Sequence, residues 1–514
     1  MWNWLLKVDP IARSLLVYAP LVSIDKAIIY GRVILLTWLL GAGQYGVWQL
    51  GVMVFSIVSA MSTLGANHGL ARYVSQYQAC GQLREFSRRA AWGSGMLAVL
   101  VGVAALLLSG PLTGALSLVS EASDLDPAQC RNIVLLALVN GLAMGLYINL
   151  QSYIRALRTF RLLAAMDLFY TLTFTALAVA LARGTGSGTA VLAAHAATLG
   201  LMLVLGHRAA GRALDRLEYS GVAGGQAPPP EGKPLRPVLR RLLGYGMVAM
   251  SGALIWEFGS QVSAWFVKYH LGLEKLGVYG AFRQMSQLAW GMAGMAWGLL
   301  FSHVANLWER GRRAKALRVM NLSYKLVVLV MMTASMLVLA TAPAWTLLLR
   351  ASFRRDLSLL AGLLMFYQCS ANLGMAGIVA QLRERPAVTV AIVSAGVLVN
   401  AALAWAWVPH WGLGGAAQAA GLAGLAATLM GVLYMLIMQP SLHLSGHLLA
   451  LSPIIFLLPG PLAAGLWALV LVVAAATRLV FSRHEKILLR NYVLTLGRRL
   501  RSHPGDRPVR STNP

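Results

Sequence analysis

Long apolar runs dominate this sequence and limit its fold to very few classes. Each run is about 20 residues long, the length that crosses the hydrocarbon of a bilayer as an α-helix. Hydrophobic residues make up 58% of the chain and charged residues 12%, a balance far outside that of soluble proteins. The sequence therefore predicts an all-α, polytopic membrane protein.

We recognise fourteen such runs and expect each to form one transmembrane helix. Proline residues interrupt the last two runs, at Pro453, Pro459 and Pro461. The runs occupy residues 14–39, 43–66, 89–110, 132–152, 162–182, 189–207, 243–268, 277–304, 319–343, 357–380, 387–408, 413–437, 446–460 and 462–481.

The basic residues divide unequally between the two ends of these helices. One side, called the basic face below, collects 32 of the 43 Lys and Arg residues, whereas seven lie on the other side, called the opposite face. Basic loops are retained in the cytoplasm, so the basic face is predicted to be cytoplasmic. An even number of helices then places both termini in the cytoplasm.

Three glycine-containing patterns recur in the same order in the two halves of the chain. Each match is short, but the nearly constant spacing predicts two six-helix lobes followed by two additional helices. An even number of helices per lobe gives both lobes the same orientation. The pairs are 40–48 with 271–279, 74–88 with 304–318, and 184–186 with 412–414, at offsets of 231, 230 and 228 residues.

A stretch rich in Gly and Pro, 221–237, marks the boundary between the halves and is typical of a flexible linker. The basic C-terminal tail is expected to lie on anionic lipid headgroups. The loop at 111–131, which carries Glu121, Asp124 and Asp126, is the longest predicted on the opposite face. The predicted units are an N-terminal lobe at 1–210, a linker at 211–240, a C-terminal lobe at 241–440, two helices at 441–482 and a tail at 483–514.

These hairpin patterns resemble a known group of transporters. The 40–48 hairpin, the basic loop after the second helix and the late hairpin at 409–417 are similar to the polysaccharide (O-antigen and exopolysaccharide) flippase branch of the multidrug/oligosaccharidyl-lipid/polysaccharide (MOP) exporter superfamily. The resemblance covers about residues 14–437. It implies a two-lobed transporter of a bacterial inner membrane that flips undecaprenyl-diphosphate-linked oligosaccharides by alternating access, working with polysaccharide polymerases and glycosyltransferases.

Seven ionisable side chains fall inside the predicted helices, where each costs about 2.5–3.5 kcal/mol unless it meets water or a partner. The repeat offset maps Lys26 onto Glu257, so the duplicated position carries opposite charges in the two lobes. The seven are Asp25, Lys26, Arg32, Asp167, Glu257, Arg283 and Lys325.

Three of the cations are expected to bind substrate. We predict that Lys26, Arg32 and Arg283 form a cationic chamber for a diphosphate, because Arg forks and Lys point charges suit its oxygens. The resemblance agrees, since basic residues of the first and eighth helices line the cavity in related peptidoglycan-precursor flippases. The alternative is an inter-lobe lock in which Glu257 pairs with Lys26 or Arg283.

Polar neighbours extend this predicted site. Gln261, Gln284 and Gln287 lie at helical spacing from Glu257 and Arg283, so they are predicted to line the cavity and contact sugar hydroxyls, or to join helices.

Glu257 is the predicted coupling-ion carboxylate, because burial favours its protonated form. A static hydrogen-bonded carboxylate is the alternative. Asp25, the second predicted coupling or gating group, is expected to meet another helix. Asp167 and Lys325 are expected to snorkel to the basic face.

Other function classes fit less well. The net charge of +26 does not indicate nucleic acid, because the cations lie in short clusters between apolar runs. Three scattered cysteines, and no nucleotide loop, metal-ligand spacing or nucleophile motif, predict no cofactor, no metal and no catalytic residue. Two alternatives remain: a multidrug or cation antiporter of the same superfamily, and a membrane glycosyltransferase or polymerase.

Overall fold

The structure, a computed structural model, describes the chain in ranges. These are residues 11–63, 65, 70, 74, 77, 82–118, 125–157, 159–223, 236–383 and 385–490. Every regular element within these ranges is helical. Outside the described residues lie Lys7 of the basic face, Cys80, which is one of the three cysteines, Glu121 and Asp124 of the predicted 111–131 loop, residues 224–235 of the linker, and the tail beyond 490.

Thirteen α-helices and two short 3₁₀ segments make up the described fold. A further helical segment covers 483–490. The 3₁₀ segments are Thr346–Leu348 and Ser452–Leu457. The α-helices are α1 (Ile11–Thr63), α2 (Leu83–Leu107), α3 (Ser109–Leu118), α4 (Pro127–Ala156), α5 (Phe160–Thr185), α6 (Gly188–Ala223), α7 (Arg236–Glu309), α8 (Arg313–Trp345), α9 (Ala351–Arg354), α10 (Leu359–Leu382), α11 (Pro386–Met438), α12 (Leu444–Ala450) and α13 (Gly460–Ala476).

Three of these helices are too long for a single crossing. α1 and α11 contain 53 residues each and α7 contains 74, whereas about 20 residues cross the hydrocarbon. A glycine of positive φ bends each one, at Gly41 (69°), Gly272 (79°) and Gly412 (56°). Because left-handed backbone is accessible to glycine at little cost, each bend divides its helix into two arms.

Eight helices in the described ranges are long and apolar enough to span a membrane. This confirms the predicted all-α, polytopic membrane class.

Three local predictions were wrong. Residues 109–118, assigned mainly to a loop, form α3. The thirteenth predicted run is not one helix but a short helix and a 3₁₀ segment, with the break near Pro453. The fourteenth helix ends at Ala476 and not at residue 481. The positive-φ glycine of the α5–α6 turn is Gly186, so it matches Gly412 at an offset of 226 residues.

The helices form two lobes that meet mainly through α1 and α7. In the N-terminal lobe, α4, α5 and α6 pack with α1; in the C-terminal lobe, α8, α10 and α11 pack with α7. The segments after α11 pack on the C-terminal lobe, where the 3₁₀ segment Ser452–Leu457 contacts α10 and α13 contacts α8. The site between the lobes is therefore built on the two bent helices.

The bends of α1 and α7 touch each other on the opposite face. A Cβ added to Gly46 would lie 2.0 Å from the Leu273 carbonyl oxygen, and one added to Gly277 would lie 2.0 Å from that of Ala42. The two contacts are reciprocal, as expected when duplicated hairpins pack around a pseudo-twofold axis. The close approach of the two backbones depends on the absence of a side chain at both glycines.

The 3₁₀ segment Thr346–Leu348 and α9 of the C-terminal lobe complete this contact. The Trp38 indole N–H donates to the Leu348 carbonyl oxygen at 2.5 Å. The rings of Tyr45 and Phe353 pack edge to face, with centroids 6.1 Å apart. The lobes are thus joined along the opposite face, and the space between them lies deeper toward the basic face.

Candidate inter-lobe binding site

A cavity of about 300 Å³ lies between the lobes. The second arm of α1 and part of α4 form one wall, and both arms of α7 together with α10 form the other. Its polar lining includes Ser56, Ser59, Thr63, Glu257, Gln261, Arg283 and Gln287. Four residues predicted from the sequence, Glu257, Gln261, Arg283 and Gln287, therefore share one wall of one cavity.

Arg283 is fixed at the centre of this wall. Its guanidinium donates to the Gln261 side-chain oxygen and, at 3.4 Å, to the Ser260 carbonyl oxygen. Its buried Nε has no hydrogen-bond partner among the described residues. An arginine oriented by two acceptors with a donor left over is suited to bind an anionic oxygen.

Two glutamines link Arg283 to the other lobe. The Gln261 amide donates to the Ser56 hydroxyl at 3.2 Å, across the interface between α7 and α1. The neighbouring Gln284 accepts from the Tyr45 hydroxyl at 3.1 Å, so Gln284 joins the lobes. A shift of one lobe against the other would break both bonds. The shape of the cavity therefore depends on the relative position of the lobes.

Glu257 lies one helical turn before Gln261 and is half-buried in the same wall. Within the described part of the chain it forms no ion pair, either with Lys26 or with Arg283. The predicted inter-lobe lock is therefore absent from this conformation. Glu257 presents its carboxylate to the cavity instead.

Lys26 and Asp25 lie on the first arm of α1, outside the set of cavity-lining residues. The Lys26 ammonium is 2.9 Å from an Asp25 carboxylate oxygen, and the other oxygen of Asp25 accepts from the Thr171 hydroxyl of α5. The Lys26 Cε lies 3.6 Å from the position of a Cβ on Gly291. Asp25 thus meets another helix, while Lys26 reaches the second arm of α7.

Arg32 also lies outside the set of cavity-lining residues. Its guanidinium lies 4.4 Å above the Phe174 ring, inside the N-terminal lobe, and the buried Nη1 has no hydrogen-bond partner among the described residues. The structure therefore does not bring Lys26, Arg32 and Arg283 together in one chamber. Arg32 belongs to the interior of one lobe, where an aromatic face partly replaces its hydration.

Aromatic side chains that the sequence pattern did not predict form part of the cavity. Trp256 and Trp290 stack with centroids 5.7 Å apart, and Trp256 also stacks on Phe366 at 6.0 Å. Tyr367, which is buried, lines the same cavity. The available signal was helical spacing, since Trp256 adjoins Glu257 and Trp290 follows Gln287 by almost one turn.

The expectation that Lys325 snorkels to the basic face was also wrong. Lys325 is 1% exposed, and its ammonium lies 3.0 Å from the Glu485 carboxylate and 3.0 Å from His443 Nδ1. Burial alone would raise the pKa of Glu485. Hydrogen bonds from Ser482 and Lys325 outweigh that effect and lower the pKa below its ordinary value.

Asp167 likewise has a protein partner, because it accepts from the Gln151 amide at 2.6 Å. His195 is held by the Tyr170 hydroxyl at 2.6 Å and the Asn140 oxygen at 2.7 Å. These groups lie within the N-terminal lobe, and their partners indicate a structural role.

Comparisons with known proteins agree with this architecture. The family described as Polysaccharide biosynthesis protein matches residues 11–301, more than half of the chain. The chain belongs to this family. A search of curated proteins finds no significant match.

Several solved structures share the fold. Lipid II flippase MurJ, in an inward closed conformation, has a TM-score of 0.63 and 11% identity over 89% of this chain and 99% of that chain. An inward-facing multidrug resistance MATE family transporter of the MOP superfamily has a TM-score of 0.56 and 13% identity over 80% and 95%. A MOP superfamily transporter from Pyrococcus furiosus, whose binding pocket is described as reversed in polarity, has a TM-score of 0.52 and 12% identity over 85% and 98%.

These findings confirm the resemblance to MOP exporters stated from the sequence. The chain is a multi-pass membrane protein of the polysaccharide biosynthesis family, and it shares the fold of solved transporters. The cavity between the lobes is therefore the place to seek its substrate.

Proposed function

We propose that this protein flips an undecaprenyl-diphosphate-linked oligosaccharide from the cytoplasmic to the periplasmic leaflet of a bacterial inner membrane. The observation that carries the proposal is the cavity between the lobes, where Arg283 and a pair of stacked tryptophans share one wall. The product would serve surface or exopolysaccharide synthesis, including lipopolysaccharide. Both termini would lie in the cytoplasm, on the basic face.

The lining provides a separate surface for each part of such a substrate. The Arg283 guanidinium lines the cavity and offers a charged donor for a phosphate oxygen. Trp256 and Trp290 offer apolar ring faces for a sugar, and the Gln287 amide, on the same arm of α7 as Trp290, is available for the sugar hydroxyls. A cavity of about 300 Å³ would hold the headgroup next to the lipid, and a longer glycan would require the lobes to separate at the basic face.

Alternating access follows from the contacts between the lobes. In this conformation the lobes are joined on the opposite face by the reciprocal contacts at Gly46 and Gly277. A headgroup would enter from the basic face and leave after these contacts open. Opening would also break the Gln261–Ser56 bond beside Arg283, so an anion that attracts Arg283 away from Gln261 would favour the change.

The proposal is tested by a flipping assay in proteoliposomes with a fluorescent undecaprenyl-diphosphate oligosaccharide and a membrane-impermeant quencher. Arg283→Ala is expected to lower the flipping rate about 10- to 100-fold, the effect of losing one charged hydrogen bond of about 1.5–3 kcal/mol. Arg312→Ala, an exposed change outside the cavity, is the matched control. Full activity of Arg283→Ala would overturn the proposed role.

The same assay separates the alternatives from a flippase. Recovery of the labelled lipid with an unchanged mass is expected; a changed glycan would indicate a glycosyltransferase or polymerase. Glu257, which faces the cavity without an ion pair among the described residues, favours a cation antiporter as the second candidate. Transport of a cationic dye that Glu257→Gln abolishes, without any lipid flipping, would establish that function instead.

A further inference from the structure

A second cavity lies at the basic-face end of the C-terminal lobe. Its volume is about 450 Å³, and it shares no lining residue with the inter-lobe cavity. The ends of α7, α8, α10 and α11 surround it. The lining residues used below are Trp308, Arg313, Leu382, Arg383, Arg385 and Gln439.

Three arginines make this pocket strongly basic. The Arg383 guanidinium donates to the Gln439 side-chain oxygen at 3.0 Å, and the Gln439 amide donates to the Ser441 hydroxyl at 2.6 Å. The Arg313 guanidinium lies 5.3 Å above the Trp308 ring. Among the side chains that the structure describes, no carboxylate pairs with Arg313, Arg383 or Arg385. The guanidinium groups of Arg313 and Arg383 are thus oriented by neutral partners, so their positive charge is not neutralised by a described carboxylate.

Two helices also begin at this pocket. α8 starts after Arg312 and α11 starts after Arg385, and neither of these preceding residues makes a side-chain capping bond. An arginine cannot accept a hydrogen bond, so it leaves the first N–H groups of its helix without a side-chain acceptor. Such helix ends favour a negative charge nearby. Backbone and side chains therefore both favour an anion in the pocket.

The remaining lining is apolar and places the pocket at the membrane boundary. Leu317, Leu382 and Met438 lie at the ends of spanning helices, and Trp308 is a residue type enriched at bilayer interfaces. A site that combines arginines with half-buried apolar side chains at this depth suits a phosphate attached to an acyl or polyprenyl chain.

We propose that this pocket binds the phosphate of an anionic lipid headgroup in the leaflet at the basic face. The lipid is either a bulk anionic phospholipid or the polyprenyl diphosphate carrier waiting outside the cleft. Both present phosphate oxygens to Arg313 and Arg385, and both lay a hydrocarbon chain along the apolar rim.

The test is native mass spectrometry of the purified full chain in a neutral detergent, titrated separately with phosphatidylglycerol, phosphatidylcholine, undecaprenyl diphosphate and inorganic pyrophosphate. The pocket variant is Arg313→Gln with Arg385→Gln. The matched control is Arg310→Gln with Arg318→Gln, which removes the same charge from exposed arginines of the same face that do not line the pocket.

An anionic lipid is expected to bind the wild type and to lose affinity about 10- to 30-fold in the pocket variant, with little change in the control. Loss for phosphatidylglycerol identifies a bulk lipid site, and loss for undecaprenyl diphosphate alone identifies a carrier site. Equal loss in pocket variant and control, or none in either, overturns the proposal. Binding of pyrophosphate without either lipid overturns its lipid part.

This result is independent of the flipping assay. A pocket variant that loses lipid adducts yet retains Arg283-dependent flipping supports the second site while leaving the proposed function intact. Melting temperatures of the two double variants are expected to agree, because all four arginines are exposed, and this comparison identifies any effect of misfolding.

Discussion

The two lobes share a backbone design but use their charges differently. Gly41 and Gly272 bend equivalent helices at positions 231 residues apart, with nearly equal φ values of 69° and 79°. In the N-terminal lobe, Asp25 and Asp167 bond to neighbouring side chains within the lobe. In the C-terminal lobe, Glu257 and Arg283 face the cavity.

The two lobes therefore have the same hairpin geometry but carry different charged residues at equivalent positions. Lys26 and Glu257 occupy equivalent positions in the repeat, yet Lys26 is paired with its neighbour Asp25 and Glu257 has no ion pair among the described residues. Charges within the N-terminal lobe are therefore expected to stabilise the fold, whereas those on the cavity wall are expected to serve transport. Four predictions address this contrast.

The largest effect is expected where a charge of the C-terminal lobe is buried away from the cavity. Glu485→Gln leaves the fully buried Lys325 without its carboxylate, which costs about 3–5 kcal/mol of unfolding free energy. Thermal unfolding in detergent is the measurement. The control is Glu85→Gln, which breaks an exposed Glu85–Arg89 pair and is expected to cost at most about 1 kcal/mol.

The same pair should respond to acid in a defined direction. The folded pKa of Glu485 lies below its ordinary value of 4.5, so its contribution is present above that value and is lost as pH falls through the lowered pKa. The melting temperatures of wild type and Glu485→Gln should therefore converge below about pH 4.5. A constant difference down to pH 3 would mean that the pair does not control this stability.

The second prediction concerns Asp25 in the N-terminal lobe. Thr171→Val removes the hydroxyl that donates to this buried carboxylate and is expected to cost about 1.5–3 kcal/mol of stability. Thr175→Val is the control, because the Thr175 hydroxyl donates only to the Thr171 carbonyl of its own helix. Equal stabilities of the two variants would show that Asp25 does not stabilise the fold.

The third prediction tests the geometry that the lobes have in common. Gly46→Ala or Gly277→Ala places a Cβ 2.0 Å from a backbone oxygen of the other lobe. This clash is expected to destabilise the conformation in which the lobes touch on the opposite face by about 1–3 kcal/mol. Spin labels on the exposed residues Thr185 and Glu274 should show a longer distance across the opposite face. Gly43→Ala, with open space at its Cβ, should leave the distance unchanged.

The smallest effect is expected for the cavity carboxylate. Glu257→Gln breaks no ion pair among the described residues, so unfolding free energy should change by no more than about 0.5 kcal/mol, while transport changes. The measurement pairs a melting curve with the flipping assay on one preparation. A large loss of stability would show that Glu257, like Asp25, stabilises the fold. The proposed difference between the charges of the two lobes would then be wrong.

Much of the architecture could be predicted from residue pattern. Apolar runs predicted the spanning helices, and the paired glycines predicted duplicated hairpins that the structure bends at Gly41 and Gly272. The pattern failed where helix continuity depended on packing: α3 formed in a predicted loop, and the segment around Pro453 broke into a 3₁₀ turn. Apolar composition is the same for a continuous and a broken helix, so it could not distinguish them.

The candidate site was only partly accessible to the same reasoning. Glu257, Gln261, Arg283 and Gln287 were found because ionisable and polar groups in a spanning helix are costly and need a wet cavity or a partner. Arg32 fits that rule equally well, yet it lies against Phe174 inside one lobe. The rule identifies a residue that needs a partner but does not say which partner it has.

The sequence by itself determined the membrane solvent, the helical class, the bends and the basic face, because hydrophobicity, glycine freedom and loop charge act locally along the chain. Tertiary structure decided which charges meet. Lys325 is 160 residues from Glu485, and Arg283 faces a cavity whose far wall belongs to another lobe. Such pairings depend on how helices rotate and pack, which no local pattern specifies.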